Sequence, residues 1–432
     1  LLPLCLVLIA VPALSASAQV PSSWGNELPD PATIAAVPVD SVTDKSFPVP
    51  PLPGPLAQVR AIYLNAWTFG SSRFYDLVRL ADTTEINAFV IDVKDDTGYL
   101  TYASSVSTAI EIGANGEKRA PDARERLDLL HRKGIYPIAR IVVAKDPLLA
   151  KRKPEWSVRS TEGGLWRDRL DFAWVDAFND SIWVYAAELG AEAVRMGFAE
   201  LQFDYVRFPD EPKSRMATAV FPARRAGETT RMGVTRNVRL LGDRIESLGV
   251  PYTLDVFGMA TSARSDLGIG QVWEDLSKEA DVLLPMVYPS HYYYSFHGIE
   301  KPNYEPYMIV RKALEDGIER SAKLKNPAKI RPYLQAFTLG PPRYTPYHVR
   351  EQIRAVNDVG LDGWVLWNAG AHYDPVIFEP NWSARRDSIL AADSASVMPP
   401  DSQPSIPRRA GQQPAPMVNG SIPVAPVPAP TP

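Results

Sequence analysis

The sequence predicts an α/β protein, a single (β/α)8 barrel with long βα loops flanked by Pro-rich tails, on three observations. Short β-branched and aromatic runs alternate eight times with amphipathic helical stretches, the pattern of a parallel sheet with crossover helices. The connections before the runs are short and several of those after them are long. Nearly every run also carries a polar residue near its C-terminal end, where a barrel of this kind assembles its chemistry.

The runs are RAIYLNAW (60–67), AFVIDVK (88–94), YPIARIVV (136–143), ELQFDYVRF (200–208), YTLDVFG (252–258), VLLPMVYP (282–289), RPYLQAFT (331–338) and GWVLWNA (363–369). Between them lie helical stretches such as SRFYDLVRLADTTEI, RERLDLLHRKG and HVREQIRAVNDVG. Four stretches close on Gly134, Gly197, Gly249 and Gly360, the residue that best takes the left-handed conformation after a helix. An open doubly wound sheet is the rival topology. It wants a Gly-rich first crossover, and the segment after the first run, WTFGSSRF, lacks the G-x-G-x-x-G spacing.

With 432 residues, 45% of them hydrophobic and 10% aromatic, the chain can bury a large core. A formal charge of −4 on nearly balanced acids and bases supplies no field to attract nucleic acid or an anionic membrane. Residues 1–18, LLPLCLVLIAVPALSASA, are too short an apolar run to span a bilayer and end in small residues, and so read as a signal peptide, with no membrane insertion after cleavage. That places the protein outside the cytoplasm, secreted or periplasmic. The only cysteine, Cys5, falls in this segment, so a Cys nucleophile or a thiolate metal site is excluded from the rest. Residues 19–58 form a Pro-rich linker and 393–432 a Pro-rich tail, leaving 59–392 as the barrel.

Side chains alternate in direction along a strand, so the polar residues can be sorted by parity. The candidates for the barrel mouth are Asn65, Asp92, Lys94, Arg140, Asp204, Asp255, Tyr288, Gln335 and Trp367, with Asn368 as the alternative to Trp367. Burying so many polar groups is costly. A wet cup for a hydroxylated substrate accounts for them, and a self-satisfied ion network, with Lys94 and Arg140 neutralising Asp92, Asp204 or Asp255, is the structural alternative. The long segments 95–121, 144–180, 209–230 and 290–305 add Tyr99, Tyr102, Trp156, Trp166, Trp174, Tyr292, Tyr293 and Tyr294, flat rings of the kind sugars stack on.

Asp204 and Asp255 sit on adjacent runs and can face one substrate. Glycosidic cleavage needs one protonated carboxyl and one ionised carboxylate, and a cation beside only one of the two separates their pKa values in that direction. Asp204, helped by Arg140 or Arg207, is the expected ionised member and Asp255 the proton donor, although the roles could be exchanged; Asp92 is held in reserve. His291 and His372 follow runs six and eight and can touch substrate, whereas His131, inside a helical stretch, reads as a surface residue. No H-x-E, H-E-x-x-H, C-x-x-C or G-x-S-x-G pattern occurs, and no cofactor is expected.

These segments, NAFVIDVKDDTGYL, EWSVRSTEGGLWRD, ELQFDYVRFP, TLDVFG, DVLLPMVYPSHY and GWVLWNA among them, resemble the bacterial "putative glycoside hydrolase" domain family, a barrel group similar to the α-amylase-like hydrolases. The resemblance covers about 59–390. It implies a glycosidase-like barrel acting on an extracytoplasmic polysaccharide or oligosaccharide, with Asp204 and Arg207 matching the strand-4 motif, Asp255 the strand-5 motif, and Tyr288, Pro289, Ser290 and His291 the strand-6 motif. Gln202 stands where α-amylases carry an Arg, and Asp255 where they carry a Glu, which argues against α-glucan specificity. Two other functions fit the same residues: a metal-assisted barrel lyase or isomerase, disfavoured by Arg140 where a third acidic ligand would be wanted, and a non-catalytic polysaccharide-binding protein of the envelope.

Overall fold

The computed structural model describes residues 54–379; the 1–18 segment, most of the 19–58 linker and the 393–432 tail lie outside the described residues. Eight parallel strands close into a barrel: β1 (Arg60–Leu64), β2 (Ala88–Lys94), β3 (Tyr136–Val142), β4 (Glu200–Asp204), β5 (Tyr252–Phe257), β6 (Val282–Met286), β7 in two pieces (Lys329–Ile330 and Tyr333–Gln335) and β8 (Trp364–Trp367). Each strand pairs with the next in sequence, and β8 pairs with β1 through Ala61 opposite Val365. Pro332 lies in the gap of β7. It has no N–H for the ladder, and beyond it Tyr333 resumes the pairing opposite Met286.

Helices α1 (Arg73–Thr83), α2 (Ala123–Arg132), α3 (Asp180–Met196), α4 (Thr230–Ile245), α5 (Trp273–Leu276), α6 (Pro306–Ser321) and α7 (Pro346–Asp358) follow β1 to β7 in turn. The expected glycines all take positive φ, 64° at Gly134, 112° at Gly197, 67° at Gly249 and 79° at Gly360. Several strands are shorter than their apolar runs because local chemistry ends them. After β1, the Asn65 side chain accepts from Thr68 N at 2.7 Å and caps a short helix, Ala66–Gly70. After β4, Tyr205 turns the chain with φ of 54°.

Two apolar layers hold the barrel together. Outward side chains such as Ile62, Phe89, Phe203 and Leu254 are buried against the helices, and inward ones such as Ala61, Val90, Ile138, Leu284 and Val365 fill the interior. Each large buried aliphatic contributes about 1.5–3 kcal/mol. Towards the C-terminal ends of the strands the inward positions change character, to Asp92, Arg140, Gln202, Asp204 and Asp255, all buried. An apolar plug thus supports a polar cup. Among the described residues no helix is long and apolar enough to cross a membrane.

Candidate active site

Arg140 is the hub of the cup. Its Nη1 donates to Asp92 Oδ1 at 2.5 Å, and its Nη2 and Nε donate to Asp204 Oδ2 at 2.5 and 3.1 Å. The same Nε lies 3.8 Å from Asp255 Oδ2. One guanidinium therefore gathers carboxylates from β2, β4 and β5. Burial alone would weaken its hold on its proton, but Asp92 and Asp204 offset this and hold its pKa well above the usual arginine value. The rings of Trp367 and Tyr63, stacked on each other with centroids 3.9 Å apart, lie 5.0 and 5.5 Å from the guanidinium carbon. Tyr63 also donates to Asp92 Oδ2 at 2.5 Å.

Asp255 has a different environment. Gln202 donates through Nε2 to its Oδ2 at 2.9 Å and to the Tyr333 hydroxyl at 2.7 Å, while Asp255 Oδ1 is buried with no hydrogen-bond partner among the described residues. Burial first, and the Asp204 charge second, push the Asp255 pKa well above the ordinary carboxyl value. Asp204 Oδ1, by contrast, accepts from Tyr205 N at 2.5 Å, a contact made by the left-handed turn at Tyr205. A bulky residue in that conformation costs about 1–3 kcal/mol, strain placed directly beside a candidate catalytic group. Asp92 is also pushed up, by burial, to about 6.

Above these groups lies a cavity of about 520 Å³. Asp204, Asp255, Arg140, Tyr333, Tyr288 and Trp367 contribute to its floor and walls, and Trp174, Tyr205, Arg207, Phe257, His291 and Tyr292 are among the loop and strand-end residues around it. Its lining comes from segments that follow the strands, so it opens on the barrel's C-terminal face. His291 Nδ1 lies 3.0 Å from Ser290 Oγ, and burial lowers the pKa of this imidazole. Gly258 is fixed by close approach, since a Cβ there would meet Met286 O at 2.4 Å and the Tyr292 hydroxyl at 2.6 Å.

The cavity brings together seven of the residues singled out from the sequence, Arg140, Asp204, Arg207, Asp255, Tyr288, His291 and Trp367, with Asp92 bound to Arg140 beneath. Three others stand elsewhere. Asn65 is taken up as a helix cap and a donor to Ala369 O at 2.7 Å. Gln335 accepts from Ser290 N at 3.0 Å and its backbone N–H donates to Gln352 Oε1 at 2.8 Å, pinning the loop after β6 and helix α7. Lys94 points out of the cup to Asp146, 2.6 Å away. Its inward parity is broken by a bulge: Asp92 pairs with Arg140, but Lys94 pairs with the outward-facing Ile141.

Tyr63, Gln202, Tyr333 and Lys145 were not among the sequence candidates. Tyr63 and Tyr333 share inward parity with Ala61 and Arg331, a signal open to sequence reading but weak, since tyrosine is equally at home in a core. Of the loop aromatics, Trp174 and Tyr292 reach the cavity, Tyr102 and Trp166 are buried, and Tyr293 and Tyr294 are exposed. His372 is exposed. His131 is half-buried, with Nε2 2.7 Å from Gly197 O, and so ties α2 to the end of α3 instead of facing solvent freely.

A closed (β/α)8 barrel with a carboxylate-floored cavity on its C-terminal face is an architecture shared by many glycoside hydrolases. The chain belongs to the family described as "Putative glycosyl hydrolase domain", whose model matches residues 61–373. Among solved structures, the chain is similar to the PgaB (BpsB) glycoside hydrolase domain from Bordetella bronchiseptica, at 14% identity and a TM-score of 0.51 over 73% of this chain and 95% of that one. It is also similar to a hypothetical protein from Ruminiclostridium thermocellum, at 38% identity and a TM-score of 0.39 over 43% and 92% of the two chains. An α-galactosidase from Thermus thermophilus matches at 15% identity and a TM-score of 0.44, over 79% of this chain and 63% of that one. No curated protein matches the chain. The first of these similarities supports the barrel fold; the activity is a separate question.

Proposed function

We propose that the protein hydrolyses glycosidic bonds of an extracytoplasmic polysaccharide or oligosaccharide, with Asp204 as nucleophile and Asp255 as general acid and base. The observation that carries this is the pair of carboxyls on adjacent strands, both approaching Arg140 Nε, at 3.1 and 3.8 Å, in surroundings that differ. Asp204, ion-paired to Arg140, is the carboxylate. Asp255, desolvated and next to that charge, retains a proton.

The Asp255 proton passes to the glycosidic oxygen as its bond to the anomeric carbon breaks, and an Asp204 oxygen forms the new bond to that carbon. Water then displaces Asp204 while giving a proton back to Asp255. Because this course passes through a bond between the anomeric carbon and Asp204, its two displacements in succession retain the configuration at that carbon. Family membership and the apolar 1–18 segment support a sugar substrate outside the cytoplasm.

The test is a panel of cell-wall and exopolysaccharides incubated with the full chain, reading reducing ends and the anomer first released by NMR. Asp204→Asn and Asp255→Asn are each expected to lose roughly 10²–10⁴-fold in turnover with an unchanged fold. Full activity in both variants, or no reducing ends from any polymer with the wild type, would remove the reading.

A further inference from the structure

The loop side of the cavity carries a cation that the hydrolytic pair does not use. Arg207 lines the cavity and is 9% exposed, and its Nη1 donates to Phe208 O at 2.9 Å. Among the described residues it forms no ion pair, and none of its nitrogens is sealed away without a partner. Three rings hold it, Phe257, Tyr205 and Trp174, 4.6, 4.7 and 5.2 Å from the guanidinium carbon. Rings occupy the faces of a guanidinium and leave its in-plane N–H fork free for an acceptor.

Two of the neighbouring carboxylates are engaged elsewhere. Asp204 is held by Arg140 and Tyr205 N. Asp168 accepts from Leu170 N, Phe172 N and Trp174 Nε1, each at 2.9 Å. Glu211 accepts through Oε1 from Arg169 N at 3.2 Å, while its Oε2 lies 3.6 Å from Arg215 and has no hydrogen bond among the described residues, and Asp210 is exposed at the rim. Lys145, also on the cavity wall, adds a second cation 5.4 Å from the Tyr205 ring and is paired with Asp96 at 2.7 Å. Desolvating an arginine without an anion is expensive. A planar fork open to a cavity is the geometry that a carboxylate fills with two hydrogen bonds.

We infer that Arg207 forms a subsite for the carboxylate of an acidic sugar, a hexuronic acid residue of the substrate, with Trp174 and Phe257 beside the ring that bears it. The inference rests on the glycosidase reading for the ligand being a sugar. It narrows the substrate class to polymers containing uronic acid.

Binding of glucuronate against glucose, galacturonate against galactose and mannuronate against mannose is measured by calorimetry on the full chain at low salt, with acetate as a free carboxylate. In at least one pair the acid is expected to bind roughly tenfold more tightly. That preference falls to about one in Arg207→Met and shrinks in the wild type at high salt. Equal binding in every pair, no binding at all, or a preference that survives in Arg207→Met overturns the subsite. Acetate binding as tightly as the acid sugars overturns it too, as a simple anion site. If Arg207→Met fails to fold, Arg207→Lys and the salt series decide, since a preference unmoved by both contradicts a guanidinium–carboxylate pair. Acid-sugar binding without hydrolysis of any polymer would leave the subsite standing and sink the glycosidase reading; hydrolysis with acid and neutral sugars bound alike would do the reverse.

Discussion

Arg140 shows how one side chain can impose an order on groups that would otherwise repel. Asp92, Asp204 and Asp255 converge on the barrel axis, and Arg140 bonds the first two and approaches the third. Both expectations for the polar ring are met in part, since the carboxylates are neutralised by Arg140 and yet Asp204 and Asp255 still line a cavity. Removing one partner of a buried ion pair leaves an uncompensated charge, which costs about 3–5 kcal/mol. Arg140→Met should lower the unfolding free energy by that amount in urea titrations. Adding Asp92→Asn to it should recover part of the loss, because one of the two stranded charges is gone while Asp204 remains; a double variant as unstable as the sum of its single changes would contradict this coupling.

Elements decide which of the polar residues meet. The residue types along β2 were legible from the sequence, and so was their alternation, but the bulge between Asp92 and Lys94 was not. One extra residue turns every later side chain to the other face, and this one sends Lys94 outwards, 1% exposed, between Asp146 and the Tyr185 ring of α3. Lys94 therefore braces β2 against the segment after β3 and against α3. Lys94→Met is expected to destabilise the fold by about 3–5 kcal/mol, by leaving Asp146 buried and unpaired, while the kcat/KM of the folded fraction stays within about twofold. A large fall in kcat/KM at full stability would return Lys94 to the cup. Asn65 and Gln335 follow the same lesson, since polar residues at strand ends serve caps and loop anchors as readily as substrates.

At the scale of the whole molecule, stability couples to pH through the buried carboxyls. Asp92 has its pKa raised from 3.8 to about 6 and Asp255 well above its ordinary value. Between the unfolded and folded values the native state binds more protons, so this stabilisation is complete below the unfolded pKa and is lost as pH rises through the folded one. Asp92 alone would contribute a decline of roughly 3 kcal/mol between about pH 4 and 6, and Asp255 carries the decline further up. The arginine-paired Asp122, Glu274 and Glu315, whose pKa values are lowered, act with the opposite sign and only under acid conditions. The urea midpoint should therefore fall from pH 5 to pH 8, and the fall should be shallower in Asp255→Asn; a midpoint that rises over this range would show that the core carboxyls are not desolvated in the folded state.

The sequence by itself determined the barrel, its eight strands, the glycine stops and the short list of carboxylates, because period-2 and period-3.6 patterns and the order of elements are local properties that survive without coordinates. It also carried the family, through motifs on the strand ends. Only the tertiary structure decided that Arg140, and not Lys94, holds Asp92 and Asp204, that Gln202 and Tyr333 border Asp255, and that Arg207 lines the cavity without an ion-pair partner among the described residues. Those are consequences of register and barrel closure, which bring together residues such as Gln202 and Tyr333, 131 positions apart. A one-residue shift in pairing, invisible in composition or periodicity, reverses which of two neighbouring side chains sees the substrate.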